Sequence, residues 1–294
     1  MSTADQPVVR LPKLNRLRRA FWSNAEQLAC LGLRHTLRIK ANDQSADIAQ
    51  RSALVLAPHA DDETLGCGGA IALKRNAGTK VTVVVATDGA ASHRHETWSV
   101  TTLDALIALR EAETQTACKT LGVSADDVHF LRQPDGDLAG HVAVLTAAIR
   151  TLVQTTQPDD IFVCAERDGH ADHTALAQAT HLALQGYDQD IRVLEYPVWC
   201  FDFRSWRPDG MTNTKGFIAG VKDMRNTIRA WSMISVSINS VQHLKDAALA
   251  AHKSQLGTYD PEPHWSGLPD TFTQHFLTKT EVFRLVPRED DAIR

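Results

Sequence analysis

Two uninterrupted apolar runs constrain the fold of this chain most strongly. Residues 53–57 read ALVLA, and residues 81–87 read VTVVVAT. Strands that are apolar on both faces are typical of a parallel sheet covered on both sides, because a face open to water would show alternating polar residues. The segment between them, residues 68–77, is predicted to form the crossover helix of a right-handed βαβ unit.

The alternation of strand and helix continues as far as residue 198. Helices are predicted over residues 103–121, 141–154 and 173–184, and strands over residues 128–131, 161–165 and 191–198. Such alternation predicts an α/β fold with an open, doubly wound and mostly parallel sheet that has helices on both faces.

The chain is predicted to consist of an N-terminal extension and one domain. Residues 1–45 form a basic helical extension, with eight basic and two acidic side chains in the first 40 residues. Residues 46–294 are predicted to form a single domain. The polar residues 42–51, which overlap its start, are predicted to be a linker. Within this domain residues 201–232, rich in Trp, Arg and Gly, are predicted to be an irregular insertion. A last helix over 241–256 and a strand near 282–285 follow.

Composition excludes several classes of protein. The chain has 31 basic and 35 acidic residues and is 43% hydrophobic, which argues against a disordered chain and against a nucleic-acid-binding protein. No stretch approaches about 18 uninterrupted apolar residues, and the N-terminus lacks a signal pattern. We therefore expect a cytoplasmic protein without a transmembrane segment. The basic extension leaves peripheral contact with an anionic membrane surface open, and the oligomeric state is not predicted.

Two short polar motifs carry the chemistry, and each directly follows an apolar strand. Residues 58–63 read PHADDE after the first strand, and residues 169–173 read GHADH after strand 161–165. Ligands of open α/β sheets bind at the carboxyl ends of the strands, so the two loops are expected to converge there. The five cysteines have no paired spacing, which favours neither a disulfide framework nor a cysteine zinc site.

Together the motifs offer a set of metal ligands. His59, Asp62 and His173 supply two imidazoles and one carboxylate, which is typical of a catalytic zinc site with an open fourth position. Asp61 is then a spare carboxylate that could serve as a general base, and His170 a spare imidazole that could donate to an oxyanion or a leaving amine. Either motif alone is also consistent with a helix N-terminus rich in Asp and His. Two such motifs, each after a buried strand, favour the metal site.

These residues resemble the motifs of the LmbE/PIG-L zinc-dependent N-deacetylases. PHADDETLGCGG at 58–69 and GHADH at 169–173 are similar to the HPDDE loop and the later HPDH of that family, and the resemblance runs from about residue 53 to residue 283. It implies a Rossmann-like fold and hydrolysis of N-acetylated amino sugars. It also implies one Zn²⁺ per chain, with Fe²⁺ or Mn²⁺ as alternatives.

The resemblance also implies roles for individual residues. The implied zinc ligands are His59, Asp62 and His173, the base is Asp61, the oxyanion-stabilising histidine is His170, and Asp172 orients His170. Asp88, Arg110 and His252 are predicted to contact the substrate. Alanine replaces the family's proline in both motifs, at Ala60 and Ala171, so a looser loop is expected. Asp88 stands where some members carry an arginine.

The predicted reaction is metal-dependent hydrolysis of the N-acetyl group of a small amino-sugar conjugate, giving a free amine and acetate. Two alternatives stay open at this point, a zinc hydrolase of another amide or ester and a non-catalytic sugar-binding domain. Dinucleotide binding is disfavoured because Gly66, Gly68 and Gly69 do not form a GxGxxG motif.

Overall fold

The computed structural model describes residues 13–187 and 189–287, with side chains from residue 21 onward. The helices are α1 (Lys13–Lys40), α2 (Ser45–Gln50), α3 (Asp62–Asn76), α4 (Leu103–Thr120), α5 (Val142–Thr156), α6 (Ala171–Leu184), α7 (Thr214–Ala230), α8 (Gln242–Leu249) and α9 (Asp270–Thr273). The strands are β1 (Asn42–Asp43), β2 (Ala53–Ala57), β3 (Val81–Thr87), β4 (Val128–Gln133), β5 (Asp160–Cys164), β6 (Arg192–Tyr196), β7 (Ser232–Ser237) and β8 (Thr280–Leu285).

All eight strands form one sheet, in the order β1-β7-β8-β6-β5-β2-β3-β4. Each pairing is parallel except those of β8, which runs antiparallel to β6 and β7. Every residue of β2, β3 and β5 is buried, so the centre of the sheet is covered on both faces. The Rossmann-like, mostly parallel α/β fold that the sequence predicts is confirmed.

The strand order reverses between β2 and β5. The chain passes from β2 to β3 and β4 on one side, and then returns to place β5 on the other side of β2. Loops that leave neighbouring strands at such a point diverge and open a crevice at the carboxyl edge of the sheet. The PHADDE motif leaves β2 and the GHADH motif follows β5, so both lie at this crevice.

The opposite end of β5 is held by a buried ionic cluster. The carboxylate of Asp160, which is buried, contacts Arg51 at 2.8 Å, Lys74 at 3.0 Å and Arg192 at 2.9 Å. Burial alone would raise the pKa of Asp160, but its hydrogen bonds to Arg192 and the Lys74 charge outweigh burial and lower that pKa. The cluster ties β5, β6, α3 and the segment before β2 together.

Two sequence predictions need correction. Residues 201–232 are not an irregular insertion, because they contain two short 3₁₀ turns and the helix α7, which Asn213 caps by accepting the backbone N–H of Gly216. The predicted linker 42–51 contains β1 and α2. Its strand pairs with β7, nearly 200 residues later, so local sequence pattern could not reveal it. The predicted basic helix is present from Lys13, and residues 1–12 lie outside the described residues.

One segment, residues 138–156, is long and apolar enough to cross a membrane by length and composition alone. In the fold its main part, α5, packs against α6 and buries Leu145, Ile149 and Val153, which are spaced four residues apart on one face. A helix that covers an α/β sheet has this composition too, so the segment is weak evidence for a membrane span.

Candidate metal centre and active site

The loop after β2 brings the first motif to the crevice. His59 follows Pro58, and Asp62 is the first residue of α3, with its Oδ2 at 3.1 Å from Nδ1 of His59. Between them Asp61 has a φ of +122°, a conformation that an L-residue adopts only at a cost of about 1–3 kcal/mol. Both carboxylate oxygens of Glu63 have partners. One accepts the backbone N–H of Asp61 at 3.0 Å, and the other lies 3.1 Å from Nε2 of His252. The hydrogen bond to Glu63 therefore stabilises the strained backbone of the loop.

The loop after β5 brings the second motif to the same place. Nε2 of His173 lies 3.3 Å from Oδ2 of Asp62, and both side chains are buried. On its other side Nδ1 of His173 donates to Asp168 at 2.7 Å, and Asp168 also accepts the backbone N–H groups of Val198 and Cys200. Because Asp168 holds the Nδ1 proton, the neutral ring directs the Nε2 lone pair at Asp62.

His59, Asp62 and His173 therefore form a group that could hold a metal ion, with their ligand atoms within 4.8 Å of one another. Nε2 of His173 is buried and makes no hydrogen bond. A ring nitrogen that faces a carboxylate oxygen at 3.3 Å is stabilised by a positive charge between the two atoms, either a proton on the ring or a metal ion. The edges of a tetrahedron with bonds of about 2.0–2.1 Å are about 3.3–3.4 Å long, so these spacings suit zinc with two nitrogen ligands and one oxygen ligand.

The electrostatics of the group favour positive charge. Burial alone would lower the pKa of His59, but Asp135, Asp172 and Asp62 raise it to about 10. Burial lowers the pKa of His173 and the charge of Asp62 raises it. The net result is a pKa well above the ordinary value. The carboxylates that stabilise a proton on these rings would stabilise a divalent cation in the same way.

Two further groups of possible ligands occur among the described residues. His59, His170 and Asp172 form one, but the Asp172 carboxylate already accepts backbone N–H groups from Gly136 at 2.8 Å and Leu138 at 3.0 Å. The other, made of Glu166, His181 and Glu195, does not share a residue with the crevice group. The group with the unpartnered His173 nitrogen is thus the best candidate at the crevice.

Asp61 is the spare carboxylate beside the candidate metal ligands. It is buried, lines the cavity at the crevice, and makes no side-chain hydrogen bond or ion pair with the residues that the structure describes. Burial, with the neighbouring charge of Asp62, raises the pKa of Asp61 to about 7, although Arg110 and His252 oppose this rise. A carboxyl with such a pKa can accept and release a proton near neutral pH.

His170 is the spare imidazole on the other side of the cavity. It caps α6, where its Nδ1 accepts the backbone N–H of Asp172 at 3.2 Å. Burial and the charges of His173 and His59 lower the pKa of His170 to about 4. A neutral ring that accepts at Nδ1 carries its proton on Nε2, so His170 can act as a hydrogen-bond donor.

The candidate site opens into a cavity of about 200 Å³. His59, Asp61, Asp62 and His170 lie at its base, and its other walls include Ser92, Arg94, Arg110, Asp135, Trp199, Leu268 and Phe272. Arg110, predicted to contact substrate, does line this cavity, and its Nη2 also donates to the carbonyl of Ala60 at 2.8 Å. Substrate contact by Arg110 stays a prediction.

The two other predicted substrate contacts do not line this cavity. Asp88 instead accepts the backbone N–H groups of Ala90 at 2.9 Å and Asp135 at 3.3 Å, and so shapes the loop after β3. His252 is fully buried, with Nε2 at 3.1 Å from Glu63 and 3.2 Å from the hydroxyl of Thr64. Both side chains support loops in this structure, and substrate contact by either one stays a prediction.

Asp172 contacts two histidines of the site. Its backbone N–H donates to Nδ1 of His170 at 3.2 Å, and its carboxylate lies 3.1 Å from Nε2 of His59, so its predicted role in orienting His170 stays a prediction. Asp135 was not predicted as a site residue, yet its Oδ1 lies 3.3 Å from the same nitrogen. The sequence signal was present, since Asp135 follows a strand of the same sheet in the segment DGDL. Asp168, five residues before His173, was not predicted as a site residue, because its hydrogen bond to His173 is visible only in the folded chain.

Comparison with known proteins finds a family match over part of the chain. Residues 54–184 match the sequence profile of the family PIG-L, described as GlcNAc-PI de-N-acetylase. The sequence-based assignment to the LmbE/PIG-L N-deacetylases is confirmed over these residues. The PIG-L match contains both motifs and the crevice between β2 and β5, whereas α1 and all elements after α6 lie outside it.

Individual similar proteins cover more of the chain than the PIG-L match does. A protein of Bacillus cereus named probable N-acetyl-alpha-D-glucosaminyl L-malate deacetylase 2 is 26% identical over 73% of this chain and 88% of its own length. The solved A40926 pseudoaglycone deacetylase Dbv21 superposes with a TM-score of 0.57 at 20% identity, covering 80% of this chain and 97% of that one.

The same fold also occurs with a different reaction. The 4-carboxy-2-hydroxymuconate hydratase GalB of Pseudomonas putida superposes with a TM-score of 0.52 at 18% identity, covering 81% of this chain and 97% of that one. The structural likeness therefore establishes the fold, and the reaction has to be argued from the site.

Proposed function

We propose that this chain is a divalent-metal-dependent N-deacetylase that hydrolyses the N-acetyl group of a small amino-sugar conjugate and releases a free amine and acetate. The observation that carries the proposal is the buried group of His59, Asp62 and His173 with the carboxylate of Asp61 beside it. The PIG-L match and the Bacillus cereus relative support deacetylation as the reaction.

We propose Zn²⁺ as the metal, because two imidazoles and one carboxylate are a common ligand set of catalytic zinc; Fe²⁺ and Mn²⁺ accept the same donors. A divalent metal held by His59, Asp62 and His173 would polarise the amide carbonyl and lower the pKa of an attacking water. Asp168 keeps His173 in the tautomer that can bind the metal, through the 2.7 Å hydrogen bond to Nδ1.

Asp61 takes the proton of the attacking water. Its strained backbone turns this carboxylate into the cavity while its neighbour Asp62 points at the two histidines, so adjacent residues do different work. The bond from Glu63 to the Asp61 backbone holds that conformation during the reaction. Asp61 then gives the proton to the departing amine nitrogen as the C–N bond breaks.

His170 stabilises the charge that develops on the carbonyl oxygen. Its Nδ1 is occupied by the Asp172 backbone, so the Nε2–H is the group that donates to the oxyanion. The ring of Trp199 lies beside this imidazole, with centroids 6.1 Å apart. One proton of the water thus reaches the amine nitrogen through Asp61, and the other stays on the new carboxyl group, which ionises to acetate after release.

A hydratase such as GalB adds water without releasing an acyl group, so acetate is the product that separates the two reactions. The experiment incubates metal-loaded protein with methyl N-acetylglucosaminide and measures acetate and free amine in equal amounts. Asp61→Asn is expected to lower kcat by about 10²–10⁴ with metal content unchanged. The control Asp126→Asn, at an exposed turn, should leave kcat unchanged. Wild-type turnover by Asp61→Asn would contradict the proposal.

A further inference from the structure

A second cavity, of about 260 Å³, adjoins the one at the metal centre. Trp199, Leu268 and Phe272 line both cavities, so the two share a wall along these three side chains. Ligand cavities of proteins usually measure about 300–1,000 Å³. The cavity at the metal centre alone is smaller than this range, whereas the two together fall within it.

The N-terminal helix α1 builds one side of the second cavity. Ser23, Glu26, Gln27 and Cys30 line it, and all lie outside the PIG-L match. The helix is fixed to the domain at this place by the ion pair of Glu26 with Arg207 and, at its end, by Lys40, whose Nζ donates to the carbonyl of Ile228 at 2.6 Å. This side of the cavity is therefore held in place by contacts between α1 and the domain.

The opposite side of the second cavity is aromatic. Trp199 stacks on Phe272 with ring centroids 4.9 Å apart, and Phe201 stacks on His275 with centroids 5.0 Å apart and planes 7° apart. Flat, partly apolar rings, such as the faces of sugars and aryl groups, bind well against such surfaces.

Polar groups accompany the aromatic rings. Nδ1 of His275 is buried and has no hydrogen-bond partner among the described residues, which is uncommon for a buried polar atom. Burial and the nearby charge of Arg34 lower the pKa of His275 to about 4, so the ring is neutral near pH 7. Asp202 and Arg204 also line the cavity and pair with each other. The cavity therefore offers stacking faces together with polar partners.

We propose that the second cavity is the subsite for the aglycone of the amino-sugar substrate, and that this aglycone contains a ring. The inference rests on the proposed function, since it assigns the group attached at C1 of the sugar whose acetyl group is removed. The N-acetyl group lies at the metal ligands, and the aglycone passes the edge of Trp199 and Leu268 to stack between α1 and the aromatic wall. The helix α1 thereby determines which conjugates are deacetylated.

The test compares N-acetylglucosaminides that differ only in the aglycone. Methyl, benzyl and glucosyl derivatives, each as both anomers, are assayed for acetate release with metal-loaded wild-type protein. A ring is expected to raise kcat/KM about tenfold over methyl, the effect of one good stacking contact. A gain with either ring supports the subsite, and the larger gain shows whether it accepts a sugar or an aryl group.

A matched pair of variants on α1 tests where the preference arises. Gln27→Trp places a large ring in the second cavity, whereas Leu28→Trp places the same ring on the exposed side of the helix. Gln27→Trp should abolish the preference for ring aglycones and keep turnover of the methyl glycoside, and Leu28→Trp should keep both. Ser23→Trp, which fills the cavity one turn earlier, repeats the measurement should Gln27→Trp fail to fold.

The outcomes separate the subsite from the reaction. Equal kcat/KM for methyl, benzyl and glucosyl derivatives in the wild type would overturn the subsite and leave the deacetylase standing. A ring preference that survives in folded Gln27→Trp and Ser23→Trp would also overturn it. Absence of acetate from every substrate would instead contradict the proposed function.

Discussion

The metal centre and the second cavity are built in opposite ways. The metal centre uses two short motifs after neighbouring strands, and its buried polar side chains lie within 2.7–3.3 Å of one another. The second cavity combines α1, the turns after β6 and the segment around α9, which lie far apart in sequence and meet through stacked rings. The difference suggests that the first region performs the reaction and the second selects the substrate.

If this division is correct, changes at the metal centre should affect all substrates alike. Changes at the second cavity should affect some substrates more than others. The following predictions test it, beginning with the largest expected effect.

His173→Ala should remove the metal and lower kcat for every substrate by roughly a thousandfold or more, because the metal contributes several kcal/mol to the transition state. Metal content by mass spectrometry and acetate release measure the two effects. The control His181→Ala changes a half-buried histidine of the same helix that lies outside the crevice group. Metal retained at the crevice in His173→Ala would show that the ligand set is wrong.

Asp160→Asn should lower the free energy of unfolding by about 3–5 kcal/mol, since it leaves Lys74 buried without its carboxylate. Because the folded state lowers the pKa of Asp160, its contribution is present at neutral pH and is lost as the pH falls below the unfolded pKa of about 3.9. Denaturant unfolding at pH 7 and pH 3 should therefore show a smaller difference from wild type at pH 3.

The exposed neighbour Asp159 provides the control for that change, because Asp159→Asn removes a surface carboxylate that bonds Ser52. It should cost far less stability than Asp160→Asn. Equal losses for the two variants would mean that the buried cluster does not anchor β5 beneath the metal centre.

Asp168→Asn should weaken metal affinity about 10–100-fold, because the amide no longer fixes the Nδ1 proton of His173 as a carboxylate does. Metal affinity is measured by competition with a chelator, and activity should return when the metal concentration is raised. An unchanged affinity would remove Asp168 from the support of the metal centre.

Trp199→Ala should have the smallest effect and the most selective one. We expect KM to rise about three- to tenfold for the benzyl glycoside and less for the methyl glycoside, because the lost ring lines the wall between the two cavities. Trp199→Phe should restore part of the difference. An equal rise in KM for both glycosides would show that Trp199 does not select between substrates.

The same contrast explains what could be predicted from the sequence. The crevice was predictable because buried parallel strands are continuous apolar runs, and because the polar residues that follow them lie at one edge of the sheet. The grouping of His59, Asp62 and His173 follows from those two rules, and the structure brings the three together.

What could not be predicted depends on contacts between distant segments. Asp172 bonds to His170 through its backbone N–H, but the contact of its carboxylate with His59 was not predicted, since a carboxylate in a helical first turn can point to more than one neighbour. His252 is paired with Glu63, from a helix distant in sequence. The helix α7 was missed because residues 201–232 look irregular by composition, although a 17-residue helix forms there.

The most direct test of the account adds Zn²⁺ stepwise to metal-stripped protein and follows acetate release from methyl N-acetylglucosaminide. The account predicts that activity rises with the first equivalent of metal per chain, and that His173→Ala and Asp61→Asn stay near background throughout. Full acetate release from the metal-stripped protein, or none after metal has bound at His59, Asp62 and His173, would contradict it.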